Sequence, residues 1–250
     1  MKINFKNKKV LITGASQGLG KILINKYLES GATVISTSRK NIKSFKNENF
    51  FNFKINLNKK NSEIILVKKL KEKKLLPDIL INNIGGDLNL KDPLVKYSDF
   101  EKVFRLNFGV TLDLINRLVP NMKMNNWGRV CFVSSISGYE NHGTPAYCSA
   151  KAAINAYIRS IGRLLIKDNI IVTGVSPGAF EYDGGYWDRI KKNNKKHYKS
   201  FMNRVSRNKI AKVDEIASIV MFMTSEYTSN CAGTNFLVDG GQGRFFHNGI

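Results

Sequence analysis

Along the chain, short unbroken apolar runs alternate with stretches in which apolar residues recur every three or four positions. The first run, Lys9 to Thr13 (KVLIT), ends in a glycine-rich segment; Leu19, Ile22, Leu23, Tyr27 and Leu28 then recur at helical spacing until Gly31 stops the pattern. Later runs read as strands: ATVIST (32–37), FFNFKI (50–55), DILINN (78–83), RVCFVSS (129–135), IIVTGVS (170–176) and NFLVD (235–239). Amphipathic stretches near 61–74, 98–122, 147–166 and 213–224 predict helices between most of them. Strand, helix and strand repeating in this way predict an α/β fold: a doubly wound parallel sheet of the Rossmann kind, with helices on both faces, as a single domain over 1–250. Ligands of such sheets bind beyond the carboxyl ends of the strands, so function is expected after the first, fourth, fifth and sixth runs. Residues 178–210 lack strand character and are expected to form a substrate lid.

Composition narrows the class. With 250 residues, 42% hydrophobic and 24% charged, the chain can bury a sizeable core. No run of eighteen apolar residues occurs, and the opening leads into a strand and a glycine loop instead of a signal peptide, so a soluble cytoplasmic protein is expected. Cys131, Cys148 and Cys231 are few, widely spaced and odd in number, which argues against a disulfide framework or a zinc site; no metal is expected. The formal charge of +21 invites a nucleic-acid partner. Yet the lysines are spread along the whole chain beside an equally heavy use of asparagine (FNFKINLNKKN, KKNNKK), as AT-rich codons produce. Neither a nucleic-acid nor a membrane partner is expected.

Two stretches carry candidate chemistry. TGASQGLG (13–20) follows the first strand and opens the first helix, where glycines let a pyrophosphate approach backbone N–H groups at the positive end of the helix dipole. An ordinary glycine turn has the same appearance. In YCSAK (147–151) the tyrosine and lysine stand one helical turn apart, so they share a face and the ammonium can stabilise a phenolate. In isolation that is also a common surface pair; Ser135, at the end of a buried run on the same rim, favours catalysis. His142 and His197 are read as loop residues, and Cys148 as packing.

Taken in order, TGASQGLG, NNIGG (82–86), Asn107 in RLNFG, Ser135 in SSISG, YCSAK, SPG (176–178) and VDGG (238–241) resemble the motifs of the short-chain dehydrogenase/reductases over almost the whole chain. The resemblance implies an NAD(P)-dependent enzyme interconverting a ketone and a secondary alcohol. It makes Tyr147 the acid/base and Lys151 the residue that tunes the phenol and holds the nicotinamide ribose. Ser135 would bond the substrate oxygen, and Asn107 would anchor a water-linked proton path. It places the cofactor against Gly14, Ser16, Gln17, Gly18, Leu19 and Gly20, then Ser38 and Arg39, Asn56 and Leu57, Asn83, Ile84 and Gly85, Tyr147 and Lys151, and Pro177, Gly178 and Phe180.

The chain departs from the pattern at Ile84, where the family has alanine, at Asn56, where it has aspartate, and at Tyr182, where threonine often holds the nicotinamide carboxamide. Ser38, Arg39 and Lys40 stand where an acid would bind the ribose of NAD, which favours NADP(H) and leaves NAD(H) open; Gln17 stands where many NADP users carry arginine.

The lid combines Tyr182, Tyr186 and Trp187 with Glu181, Asp183 and Asp188, followed by KKNNKKHYK. Aromatic faces, carboxylates and lysines suit a small-molecule substrate that is sugar-like or anionic, as in surface-carbohydrate biosynthesis. The alternative is 3-oxoacyl-acyl-carrier-protein reductase of fatty-acid synthesis. A non-catalytic nucleotide-binding relative would have lost the tyrosine or the lysine. In 98–122 Phe100, Val103, Phe104, Leu106, Phe108, Val110, Leu112, Leu114 and Ile115 exceed what one buried stripe needs, so a homo-oligomer, tetramer or dimer, is expected, as relatives commonly form.

Overall fold

The computed structural model describes residues 3–42, 45–203 and 205–244. Seven parallel strands form one sheet, each from a run anticipated above: β1 (Lys9–Thr13), β2 (Thr33–Ser38), β3 (Phe50–Lys54), β4 (Ile79–Asn82), β5 (Gly128–Val133), β6 (Ile170–Pro177) and, after a small second sheet of β7 (Phe180–Glu181) and β8 (Ala211–Lys212), β9 (Asn235–Val238). The order across the sheet is β3-β2-β1-β4-β5-β6-β9. From β1 the chain winds outward one way to β3 and then returns to wind the other way from β4. A crevice therefore opens beyond the carboxyl ends of β1 and β4.

Alternation of side chains divides the core into two layers. Leu11, Leu80, Val130 and Phe132 face one side of the sheet. They pack against α2 (Ser62–Glu72), α4 (Val110–Met124) and α5 (Pro145–Leu165) through Leu66, Leu114 and Ile154. Val10, Ile12, Ile79 and Ile81 face the other, against α1 (Gly18–Glu29) and α8 (Val213–Met223) through Leu23, Ile24 and Val220. Each such side chain, fully buried, contributes about 1.5–3 kcal/mol, which makes the rim of this sheet a firm base for a site. Among the described residues no helix is long and apolar enough to cross a membrane.

Two expectations are corrected. The helix expected over 98–122 is α3 (Tyr97–Phe104) and α4, joined by a π-helical turn at Arg105–Gly109. Asn107 sits in that turn, 1% exposed, and its Nδ2 donates to the Val103 carbonyl four residues back. Apolar periodicity runs through the break, so it leaves no trace in the pattern. The 178–210 segment is likewise not strandless. Phe180 and Glu181 in β7 pair with Ala211 and Lys212 in β8, two-residue strands too short to show periodicity, which pin both ends of the segment. Between them lie α6 (Tyr186–Asn193) and α7 (Lys195–Met202), and His197 belongs to α7 instead of a loop.

Candidate active site

The glycine loop adopts backbone that favours glycine: Gly14 has φ +65° and Gly18 φ +55°. It is tied to the segment after β4. Thr13 Oγ1 accepts from the N–H groups of Asn83 at 3.0 Å and Ile84 at 3.1 Å, and Asn83 Nδ2 donates to the carbonyls of Thr13 at 2.9 Å and Gly14 at 3.1 Å. The two turns flanking the crevice thus hold each other in place.

A cavity of about 310 Å³ runs along this crevice, lined by Gly14, Ser16 and Gln17, by Ser38 and Arg39, by Asn56 and Leu57, and by Asn83, Ile84 and Gly85. A second cavity, of about 250 Å³, shares Asn83, Gly85 and Gly86 with the first and continues to Leu19, Ser135, Tyr147, Lys151, Pro177, Gly178 and Phe180. Two expected cofactor contacts differ in place. Gly20 lies beneath the loop, where a Cβ would come within 2.7 Å of the Ala15 backbone. Gly18 faces a neighbouring cavity of about 720 Å³, and the ring of Tyr182 covers it: a Cβ on Gly18 would lie 2.9 Å from Cζ. Tyr182 is therefore aimed at the glycine loop.

Whether a dinucleotide suits this cleft can be judged from its walls. Glycine backbone lines one end, the buried Thr37 Oγ1 in the wall has no partner, and the nucleotide end carries Arg39 and no carboxylate. These features fit a nicotinamide dinucleotide.

At the far end Lys151 is 3% exposed; its Nζ donates to the Val133 carbonyl at 2.9 Å and stands 5.5 Å from the centre of the Tyr147 ring. Burial brings its ammonium down to about 8. The phenol of half-buried Tyr147 is pushed up to about 12, first by desolvation; Ser135 lowers it, while the negative charge of Asp87 and then Cys148 raise it. Of the groups that shift this phenol, Ser135 is the one that lowers it, and the Lys151 ammonium is held at the Val133 carbonyl. Ser135 Oγ also accepts from the N–H of Ser137 at 3.0 Å, which fixes its rotamer. Asn107 lies behind the cleft. Its carboxamide accepts from the Gly86 N–H at 3.1 Å and donates to the Gly86 carbonyl at 2.8 Å, and a Cβ on Gly85 would lie 2.6 Å from Oδ1.

Trp187 is engaged by other rings of the same segment. It stacks on Phe201 at 3.8 Å and on His197 at 6.1 Å, whereas Tyr186 is 54% exposed. His142 does lie in a loop, its Nε2 2.8 Å from Glu140 Oε2, and Cys148 Sγ reaches the Glu140 carbonyl at 3.8 Å. Thr37, Leu106 and Ser134 line the cleft without having been expected there.

Comparison with known proteins agrees with this geometry. The chain is 31% identical over 249 residues to the 3-oxoacyl-acyl-carrier-protein reductase FabG of Buchnera aphidicola subsp. Schizaphis graminum, covering 96% of this chain and 98% of the relative. Its fold superposes on a short chain dehydrogenase from Leptospira borgpetersenii with bound NAD+ at a TM-score of 0.85 and 23% identity, covering 96% of this chain and 94% of that one. L-sorbose reductase from Gluconobacter frateurii, complexed with NADPH and L-sorbose, gives 0.85 and 22%, covering 97% and 98%. The model of the short chain dehydrogenase family matches residues 8–188, which carry the glycine loop, the post-β4 turn, Ser135 and the tyrosine–lysine pair on one continuous rim. The chain accordingly belongs to the short-chain dehydrogenase/reductases and is an NAD(P)-dependent oxidoreductase of CH–OH groups.

Proposed function

We propose that the protein reduces a polar, hydroxylated ketone to a secondary alcohol, or runs the reverse, using NADP(H) in preference to NAD(H), with Tyr147 exchanging the proton. The observation that carries this is that Ser135, Tyr147 and Lys151 together line a cavity continuous with the nucleotide cleft. The bound nicotinamide supplies or takes the hydride. Negative charge grows on the substrate oxygen, and two hydroxyl donors directed there stabilise it. Lys151 suits the ribose hydroxyls and, by its charge, a phenolate. Asn107 holds the Gly86 backbone that forms the cleft wall. Arg39 is exposed at the nucleotide end, where a guanidinium can pair with a 2′-phosphate.

For the substrate, support comes from residues 178–210, proposed as the lid. Glu181, Asp183 and Asp188 line the cavity of about 720 Å³ with Lys21, Lys191 and Lys212, a polar wall suited to hydroxyl and anionic groups. With Trp187 stacked on Phe201 and His197, stacking on a ring falls to the exposed Tyr186. A second reading, reduction of a 3-oxoacyl thioester, is supported by the name of the Buchnera relative and by exposed Lys195, Lys196 and Lys199, since an acyl carrier is acidic. A second copy of the chain is the expected partner: Tyr97, 75% exposed, with Phe100 and Phe104, opens an apolar groove on α3. We place the enzyme in the cytoplasm.

A panel of keto-hexoses, acidic and phosphorylated keto-sugars and acetoacetyl-coenzyme A, each with NADPH and NADH and followed at the nicotinamide absorbance, tests the proposal. Turnover of a keto-sugar with NADPH over NADH is expected. Efficient turnover of the thioester alone would replace the proposal with the second reading.

A further inference from the structure

Three consecutive residues leave the end of β5, and each meets a different turn of α5. The carbonyl of Val133 accepts from Lys151 Nζ at 2.9 Å, Ser134 Oγ donates to Asn155 Oδ1 at 2.5 Å, and Ser135 lines the same cavity as Tyr147. Tyr147, Lys151 and Asn155 stand four residues apart and so share one face of the helix. Two of the three are the proposed catalytic pair. The third has no role in the chemistry above.

Asn155 does more than close this row. Its Oδ1 takes a second hydrogen bond, from Asn235 Nδ2 at 2.7 Å, and Asn235 Oδ1 accepts from Ser176 Oγ at 3.1 Å. The Tyr139 hydroxyl is bonded to both Ser176 and Asn235. One carboxamide oxygen therefore ties α5 to the ends of β5 and β9 and, through Asn235, to β6. Close approach is built in: a Cβ on Gly138 would lie 2.5 Å from Asn155 Nδ2 and 2.8 Å from the Lys151 carbonyl. Ser134 is 4% exposed and Ser176 fully buried, so hydroxyls deprived of the acceptor have no water to turn to.

We infer that Asn155 is a positioning residue for the reaction: its carboxamide oxygen holds the end of β5 in register with α5, so that Ser135 and Tyr147 converge on one substrate oxygen. The inference rests on the roles proposed for those two residues. An apolar side chain of similar shape at 155 leaves Ser134 and Asn235 without their acceptor and lets the serine and the phenol drift apart, and catalysis is steep in such displacements.

The test uses Asn155→Leu, Asn155→Asp and the double variant with Tyr147→Phe, assayed on whichever of a keto-hexose and acetoacetyl-coenzyme A the wild type reduces with NADPH. In Asn155→Leu, kcat should fall about tenfold or more while the NADPH dissociation constant, read by fluorescence, moves less than about threefold. Asn155→Asp keeps an acceptor oxygen for both donors and should recover most of kcat. In the Tyr147→Phe background Asn155→Leu should cost less than about twofold, because the group it positions is gone. A wild-type kcat in Asn155→Leu, an undiminished loss in the double variant, or an aspartate variant no better than leucine would overturn the inference. Should Asn155→Leu fail to fold, Ser134→Ala removes one donor of the same clasp and should lower kcat about threefold or more, and no loss there counts against it equally. The proposed chemistry fails separately: full turnover in Tyr147→Phe removes it, whereas an inactive Tyr147→Phe beside an unimpaired Asn155→Leu removes only the role of Asn155.

Discussion

A half-buried phenol beside a buried ammonium gives each group an unfavourable charged state, and the geometry shows what each lies against. Lys151 donates to the Val133 carbonyl, and Tyr147 stands beside Ser135 in the same cavity. Burial keeps the phenol protonated to about 12, which suits a proton donor in ketone reduction and handicaps it as a base in alcohol oxidation. The oxidation rate follows the phenolate fraction and so climbs with pH. Ser135 favours the phenolate by hydrogen bonding and Asp87 disfavours it by its charge. Asp87→Asn should therefore shift the climb to lower pH, and Ser135→Ala to higher pH, each by about half a unit or more for a single neighbouring group. Initial-rate profiles in the oxidative direction check this; shifts of the same sign in both variants would contradict it. Four-residue spacing made Tyr147 and Lys151 legible as neighbours in the sequence. It did not disclose which way the ammonium points, because that depends on a carbonyl eighteen residues away.

At the scale of elements, catalysis depends on how one helix is seated on the ends of three strands. Pro145 starts α5 where its missing N–H costs nothing, and the backbone of Gly138 lies directly on Lys151. Gly138→Ala forces the turn after β5 off the helix and should lower kcat about tenfold while costing about 1–3 kcal/mol of stability. Steady-state kinetics with thermal melting would show it; unchanged kcat would mean that the turn yields without moving Ser135. The strands were legible because buried parallel strands are continuous apolar runs, and β1, β4 and β6 fall within a residue or two of their predicted bounds. The break between α3 and α4 was not, since a π turn changes hydrogen bonding without disturbing the apolar repeat. Nor were β7 and β8, which exist only through each other. Trp187 misled for a related reason: an aromatic residue in an expected lid has the same letter whether it meets a ligand or, as here, Phe201 and His197.

At the scale of the molecule, the reversal of strand order between β1 and β4 makes the crevice, and the glycine loop, the post-β4 turn and α5 arrive at it from distant parts of the chain. Most residues expected to touch a cofactor do line that cleft, since they lie just past strand ends, where the topology leaves backbone exposed. The charge of +21 had no part in locating it. The whole arrangement converges on one hydroxyl, so removing that oxygen is the sharpest test. Tyr147→Phe should lower kcat for ketone reduction by about a hundredfold or more, the usual scale of a lost general acid, while NADPH still binds with nearly wild-type affinity in a fluorescence titration. A Tyr147→Phe enzyme that turns over at close to the wild-type rate would contradict the assignment of this site.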